Sequence, residues 1–223
     1  MSGIVVFGGL SRLGSKVTET FINHNLPVLA VRESIDDTKC DEEEEQAMFF
    51  GRNAFFQMAM KDDWMNQGDH IDTVICLDSV SWFENAPVVK AEVIATRLTK
   101  ALEVCPNLKQ CLVISHLDIF GPQAGPVDER TTFNPQTETG HQAEAVEHQV
   151  HETMRAIQPR NTPLWIRICR TPNVHDGTYS RTTNASLHIN DFRESLISFL
   201  ESDPNVLWIK GVMGVSYSVP SMQ

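Results

Sequence analysis

The run VVFGGLSRLGS, residues 5 to 15, places Gly8, Ser11 and Gly14 at three-residue intervals behind a β-branched stretch. A strand that turns this sharply into a helix leaves the first helical N–H groups unpaired. With the helix dipole, those amides make a site for an anion such as a pyrophosphate. Gly8 suits the tight turn and Gly14 suits close helix-to-strand packing. Ser11 stands where a dinucleotide fingerprint has a third glycine, and its small hydroxyl can itself donate to a phosphate oxygen. The following strand ends LAVRES, with Arg32 at its tip, and Arg12 lies inside the turn. Arginine pairs bidentately with phosphate oxygens, so the two guanidiniums suit a 2′-phosphate and NADP; Glu33 keeps NAD as the alternative.

The elements around this turn follow from periodicity. GIVVFGG reads as a strand, Leu13, Val17, Phe21 and Ile22 as the apolar face of a helix, and LPVLAVR as a second strand. Helical period between two β-branched runs is a βαβ unit, which implies a parallel sheet. Further strands are expected at 72–79, 110–115, 164–169, 47–50 and 206–210, with helices at about 54–66, 88–104, 139–157 and 190–202. This alternation predicts one doubly wound α/β domain of Rossmann type over residues 1–223, with helices on both faces. Segment 116–138, rich in proline and without a period, leaves the carboxyl end of a strand and is a candidate active-site loop.

The chain has 223 residues, 41% of them hydrophobic, enough for a buried core. No apolar run approaches the ~18 residues of a membrane span, nor does the N-terminus read as a cleavable signal, so a cytoplasmic protein is expected. The five cysteines stand singly, mostly in apolar runs, and are expected to be buried free thiols. Of the formal net charge of -11, DDTKCDEEEE (36–45) supplies -6 through seven acids and one lysine. Such a run is expected to be a solvated helix face or loop. With no basic stripe elsewhere, neither nucleic acid nor an anionic membrane is an expected partner.

Four stretches, in order, resemble the extended short-chain dehydrogenase/reductase family, the NAD-dependent epimerase and dehydratase group. They are EVIATRLTKALEVCPNLKQCLVISHLDIFGP (92–122), VDERTTFNPQTETGHQAEAVEHQV (127–150), IRICRTPNVHDG (166–177) and SLHINDF (186–192). The resemblance implies cofactor contacts at Gly8, Gly9, Ser11, Arg12, Leu13, Gly14, Arg32, Leu77, Asp78 and Pro172. It also implies a homodimer through helices 88–104 and 139–157. The first of these carries an apolar stripe at Val89, Val93, Ile94, Leu98, Ala101 and Leu102, which a monomer's core would use equally well. Only about fifty residues follow NVHDG, so the substrate side is expected to be reduced to segments near 171–191 and 211–223, with the tail after Val215 loose.

The family's chemistry requires a tyrosine made acidic by a lysine four residues on, and a serine or threonine for the substrate oxygen. Here the serine's place falls on His116, just after Ser115. The tyrosine's place falls on His141 or Gly140, and the lysine's on Ala145 or Glu144. Tyr179 and Tyr217 are the chain's tyrosines, and four residues beyond them stand Thr183 and Ser221. No Y-x-x-x-K exists. An imidazole is a competent acid or base near neutrality, so His116 and His141 are the candidates to replace the phenol. His141, Glu144 and His148 span two helical turns without a further ligand, and no metal site is expected. Asp78 follows a strand where the family has small apolar residues. It would repel a pyrophosphate unless paired or turned away, for instance capping a turn through Ser79 or Ser81. Losing tyrosine and lysine together points to a nucleotide-binding or sensing protein without the usual hydride and proton chemistry. The alternatives are an NADP-dependent oxidoreductase or epimerase acting on a small carbonyl compound through His116 or His141, and an empty structural relic.

Overall fold

The computed structural model describes residues 3–32, 37–82, 88–123, 127–128, 130–157, 163–177, 186–203, 205–206 and 208–219. Glu33, Tyr179, Thr183 and Ser221 lie outside the described residues. From the N-terminus run β1 (Gly3–Phe7), α1 (Gly14–Asn23), β2 (Val28–Arg32), α2 (Asp37–Phe50), β3 (Phe56–Met60) and β4 (Ile71–Cys76). Then follow α3 (Ala91–Val104), β5 (Gln110–His116), α4 (Glu138–Ala156), β6 (Leu164–Thr171), β7 (Asn173–His175) and β8 (Ser186–His188). The chain closes with α5 (Ile189–Glu201), β9 (Trp208–Ile209) and β10 (Val212–Val219).

Eight strands form one sheet in the order β3-β2-β1-β4-β5-β6-β10-β9, parallel from β3 to β6. β10 returns antiparallel on β6, and β7 pairs with β8 in a separate small sheet. This is the expected doubly wound fold. The chain winds outward from β1 to β3, then crosses back to place β4 on the other side of β1. The crevice at the carboxyl ends of β1 and β4 is therefore the topological switch point, where ligands of open α/β sheets sit. The central strands are buried except at one residue near the amino end of each, because helices cover both faces.

Three expectations fail for tertiary reasons. Residues 47–50 form the last turn of α2 rather than a strand, because the glutamate run ahead of them propagates a helix that buries Ala47 and Phe50. Phe50 lands on Phe56 at 5.2 Å between ring centroids. Residues 54–66 contain β3 and the start of a 3-10 segment (Asp63–His70), not a helix; pairing with β2 from Val28↔Phe56 to Arg32↔Met60 overrides the propensity of Gln, Met and Ala. The tail is not loose after Val215: β10 continues to Val219 against β6, with Tyr217 opposite Ile166. Its turn from β9 is the two-residue Lys210-Gly211, both at positive φ, a geometry that matches strand twist. Segment 211–219 thus joins the main sheet. The four described cysteines of the sheet and its flanks are buried free thiols, and burial pushes Cys169 up to about 12. No helix among the described residues is long and apolar enough to cross a membrane.

Candidate functional site

At the switch point Gly8 leaves β1 with φ of 73°, a left-handed conformation that favours glycine. A Cβ there would also lie 2.8 Å from the Cβ of Asp78, which follows β4. Gly14 is equally constrained, since a Cβ would stand 2.1 Å from the Gly8 carbonyl oxygen. Ser11 closes the turn: its hydroxyl donates to Gly8 O at 2.8 Å and accepts from Gly14 N at 3.2 Å. Ser15 N donates to Ser11 O, and Lys16 N and Val17 N to Leu13 O. The amides of Arg12 and Leu13 make no such bond among the described residues, and they head a helix dipole pointing into the crevice. Behind them Gly9 carries no side chain because Thr18 Oγ1 and Val6 already fill that space.

Asp78 is paired rather than free to repel an anion. Arg97, from α3, donates through Nη1 to Oδ1 at 2.6 Å and through Nη2 to Oδ2 at 2.9 Å, and the pair is buried. The guanidinium also lies 4.2 Å from the Phe7 ring centroid. Leu77 and Pro172 are buried beside the crevice, and Leu77 O accepts from Trp82 Nε1 at 2.5 Å. Trp82 stacks on Phe192 of α5, and its carbonyl accepts Val174 N of β7, so the chain after β4 is drawn across toward the small sheet.

Both arginines expected to meet a phosphate face carboxylates. Arg12 donates to Asp176 at 2.9 Å, tying the glycine turn to the segment after β7. Arg32 lies 4.0 Å from Glu43 and 3.7 Å from Glu44, both from α2. Part of the acidic run is thus turned inward, while Asp41, Glu42, Glu44 and Glu45 remain exposed or nearly so.

The candidate catalytic residues are dispersed. Ser115 points to α4, donating to Glu147 at 2.6 Å, and Glu147 is held by Arg170 of β6 at 2.8 and 2.7 Å. His116 is buried, with its Nδ1 3.1 Å from Asp118 N and 3.4 Å from Asp118 Oδ1. Its Nε2 has no hydrogen-bond partner among the described residues. His141 points outward from α4, 64% exposed beside Glu144 at 3.9 Å, so it does not share the His116 environment. Gly140 packs against Asp118 O, and Ala145 and Glu144 are exposed. Tyr217 stacks edge-on against His151 near the amino end of β6, away from the crevice. Burial pushes its phenol up, the reverse of what a proton-shuttling tyrosine needs.

Asp118 carries a pH consequence. Its hydrogen bond with the His116 ring, and secondarily that from Thr137, hold the carboxyl below the usual range against the opposing effect of burial. A carboxyl depressed in the folded state stabilises fully above its unfolded value, and that stabilisation is lost as pH falls through the folded value. Urea unfolding of wild type and Asp118→Asn should therefore diverge less as pH drops below about 4, with wild type losing the greater share.

No family model and no curated protein matches the sequence. Solved structures do match. UDP-glucuronic acid 4-epimerase from Bacillus cereus, in complex with UDP-glucuronic acid and NAD, aligns with a TM-score of 0.66 at 19% identity, covering 97% of this chain and 79% of that one. Gre2 from Candida albicans in complex with NADPH gives 0.65 at 8%, covering 98% and 80%. UDP-N-acetylglucosamine 4-epimerase from Methanobrevibacter ruminantium gives 0.63 at 15%, covering 98% and 78%. At these identities what is shared is the architecture: the chain has the doubly wound α/β fold of these epimerases and of Gre2.

Proposed function

We propose that this chain binds a nicotinamide dinucleotide at the switch point and lacks the hydride and proton chemistry usual for such a fold, acting as a nucleotide-binding or sensing protein. The observation that carries the reading is the glycine turn itself. The Arg12 and Leu13 amides head α1 at the end of β1, over a neutralised Asp78, which is the arrangement that receives a pyrophosphate. The neighbours solved with NAD and with NADPH support the same ligand class. Bound there, the cofactor would supply a hydride-accepting or hydride-donating ring. The chain's own residues would hold the phosphates through the Arg12 and Leu13 amides, with the bare backbone of Gly9 and Gly14 and the Ser11 hydroxyl shaping the turn around them. Helix α4 offers no phenol and no ammonium along Glu138–Ala156, and Ser115 is committed to Glu147.

A second reading, an oxidoreductase or epimerase acting on a small carbonyl compound, is favoured by one observation, the unpartnered His116 Nε2. A buried ring nitrogen without a hydrogen-bond partner costs about 1–3 kcal/mol, and a polar group of a substrate would relieve it. Titration with NADH and NADPH, followed by nicotinamide fluorescence, tests the first reading; binding without oxidation across a panel of aldehydes and ketones is the expected result. Turnover abolished in His116→Ala establishes the second, and failure of both nucleotides to bind overturns the dinucleotide reading. The expectation of a homodimer through α3 and α4 stands as a proposal for sedimentation measurements.

A further inference from the structure

We propose that Glu43 and Glu44 decide which dinucleotide the chain accepts, selecting NAD and rejecting the 2′-phosphate of NADP; the proposal rests on the dinucleotide reading above. Arg32 ends β2, the strand whose tip meets the adenosine ribose in a doubly wound fold. An arginine at this position favours a 2′-phosphate only while its charge is available. Here Glu43 approaches Nε at 4.0 Å and Glu44 approaches Nη2 at 3.7 Å, while the arginine side chain is only 11% exposed. Two carboxylates engage the one guanidinium, so its charge is already answered before a phosphate arrives.

The second cation that could serve, Arg12, is held by Asp176 at 2.9 Å. A phosphate monoester brings about -1.5 to -2 charge and has only acceptors to offer a carboxylate. A ribose 2′-hydroxyl brings a donor and no charge, and a glutamate oxygen accepts it. The same two side chains therefore oppose one nucleotide and suit the other. Both come from α2, a helix that turns Glu43 and Glu44 toward Arg32 and buries its apolar end, Ala47 and Phe50.

The test titrates wild type and the double variant Glu43→Gln/Glu44→Gln with NADH and NADPH, at low and high salt. Wild type should bind NADH about tenfold or more tighter than NADPH, with the gap narrowing as salt screens the carboxylates. The double variant should gain NADPH affinity and lose NADH affinity, closing the gap from both sides. If the double variant does not fold, as judged by its circular dichroism, Glu44→Gln alone, at an exposed side chain, should move the ratio in the same direction. Wild-type preference for NADPH, or an unchanged ratio in the variants, overturns the assignment while leaving the dinucleotide reading intact. Failure of either nucleotide to bind wild type or variant overturns both.

Discussion

Asp78→Ala is expected to lower the free energy of unfolding by about 3–5 kcal/mol, because it leaves the Arg97 guanidinium buried without its carboxylate. Both side chains are under a tenth exposed, and both carboxylate oxygens are engaged at 2.6 and 2.9 Å. Water cannot replace the lost partner cheaply at that depth. The Phe7 face, 4.2 Å from the guanidinium, compensates only in part. Urea denaturation followed by Trp64 and Trp82 fluorescence reads the loss as a shifted midpoint at unchanged slope. Removing both charges, as Asp78→Leu/Arg97→Met, should recover most of it, since no ion is then left in the core. A loss below about 1 kcal/mol in the single variant would show that the pair is not the link between α3 and the glycine turn. The double variant also isolates the pair's second role. Asp78 abuts Gly8, so a bulkier leucine there should weaken dinucleotide binding even where stability is regained.

The switch-point turn was legible because its determinants are local: glycine spacing, a β-branched run before it and a helical stripe after it. The alternation of strands and helices from β4 to α5 was legible for the same reason. What escaped the sequence is the partner of each buried charge. Arg97 falls inside the apolar stripe of Ile94, Leu98 and Ala101, and Glu147 inside that of Ala143, Val146 and Val150; a charge in such a stripe signals a buried pair, but not with whom. Arg167 and Arg170 likewise interrupt the apolar strand LWIRICRT, and the former reaches Ser216 and the Phe199 carbonyl. The phase of α4 was readable as well. Buried positions 140, 143, 147 and 150 leave His141 on the outward side, although the family resemblance put it at the catalytic tyrosine's place. Arg32 shows the opposite limit: its reach toward Glu43 and Glu44 depends on how α2 lies against β2, which no local pattern encodes.

The largest single loss of stability is expected from Glu147→Ala, at about 3–5 kcal/mol or more, because one carboxylate there serves three donors. Ser115 Oγ donates to Oε1 at 2.6 Å, Arg170 Nε donates to the same oxygen at 2.8 Å, and Arg170 Nη2 donates to Oε2 at 2.7 Å. The charges belong to α4 and β6 and the hydroxyl to β5, so the carboxylate joins the helix to two strand ends. Arg170 cannot turn to solvent for relief. Its guanidinium carbon lies 5.1 Å from the Phe120 ring and 5.2 Å from the Phe133 ring, with Met213 Sδ beyond at 3.8 Å from Nη1. Glu147→Gln keeps the shape but trades a charged acceptor for an amide whose NH2 must face a donor, so it should recover less than half of the loss. A double-mutant cycle with Arg170→Met should give a coupling of about 2–3 kcal/mol, within the range for side chains in one network, whereas independent contacts would add. The same variants separate positioning from chemistry. If Ser115 served a substrate oxygen, Glu147→Gln would alter turnover and its pH profile. If Ser115 only completes the network, Glu147→Gln should lower the urea midpoint and leave NADH affinity within about threefold wherever the protein is folded, because the pair lies behind the crevice and pins α4 rather than touching a ligand.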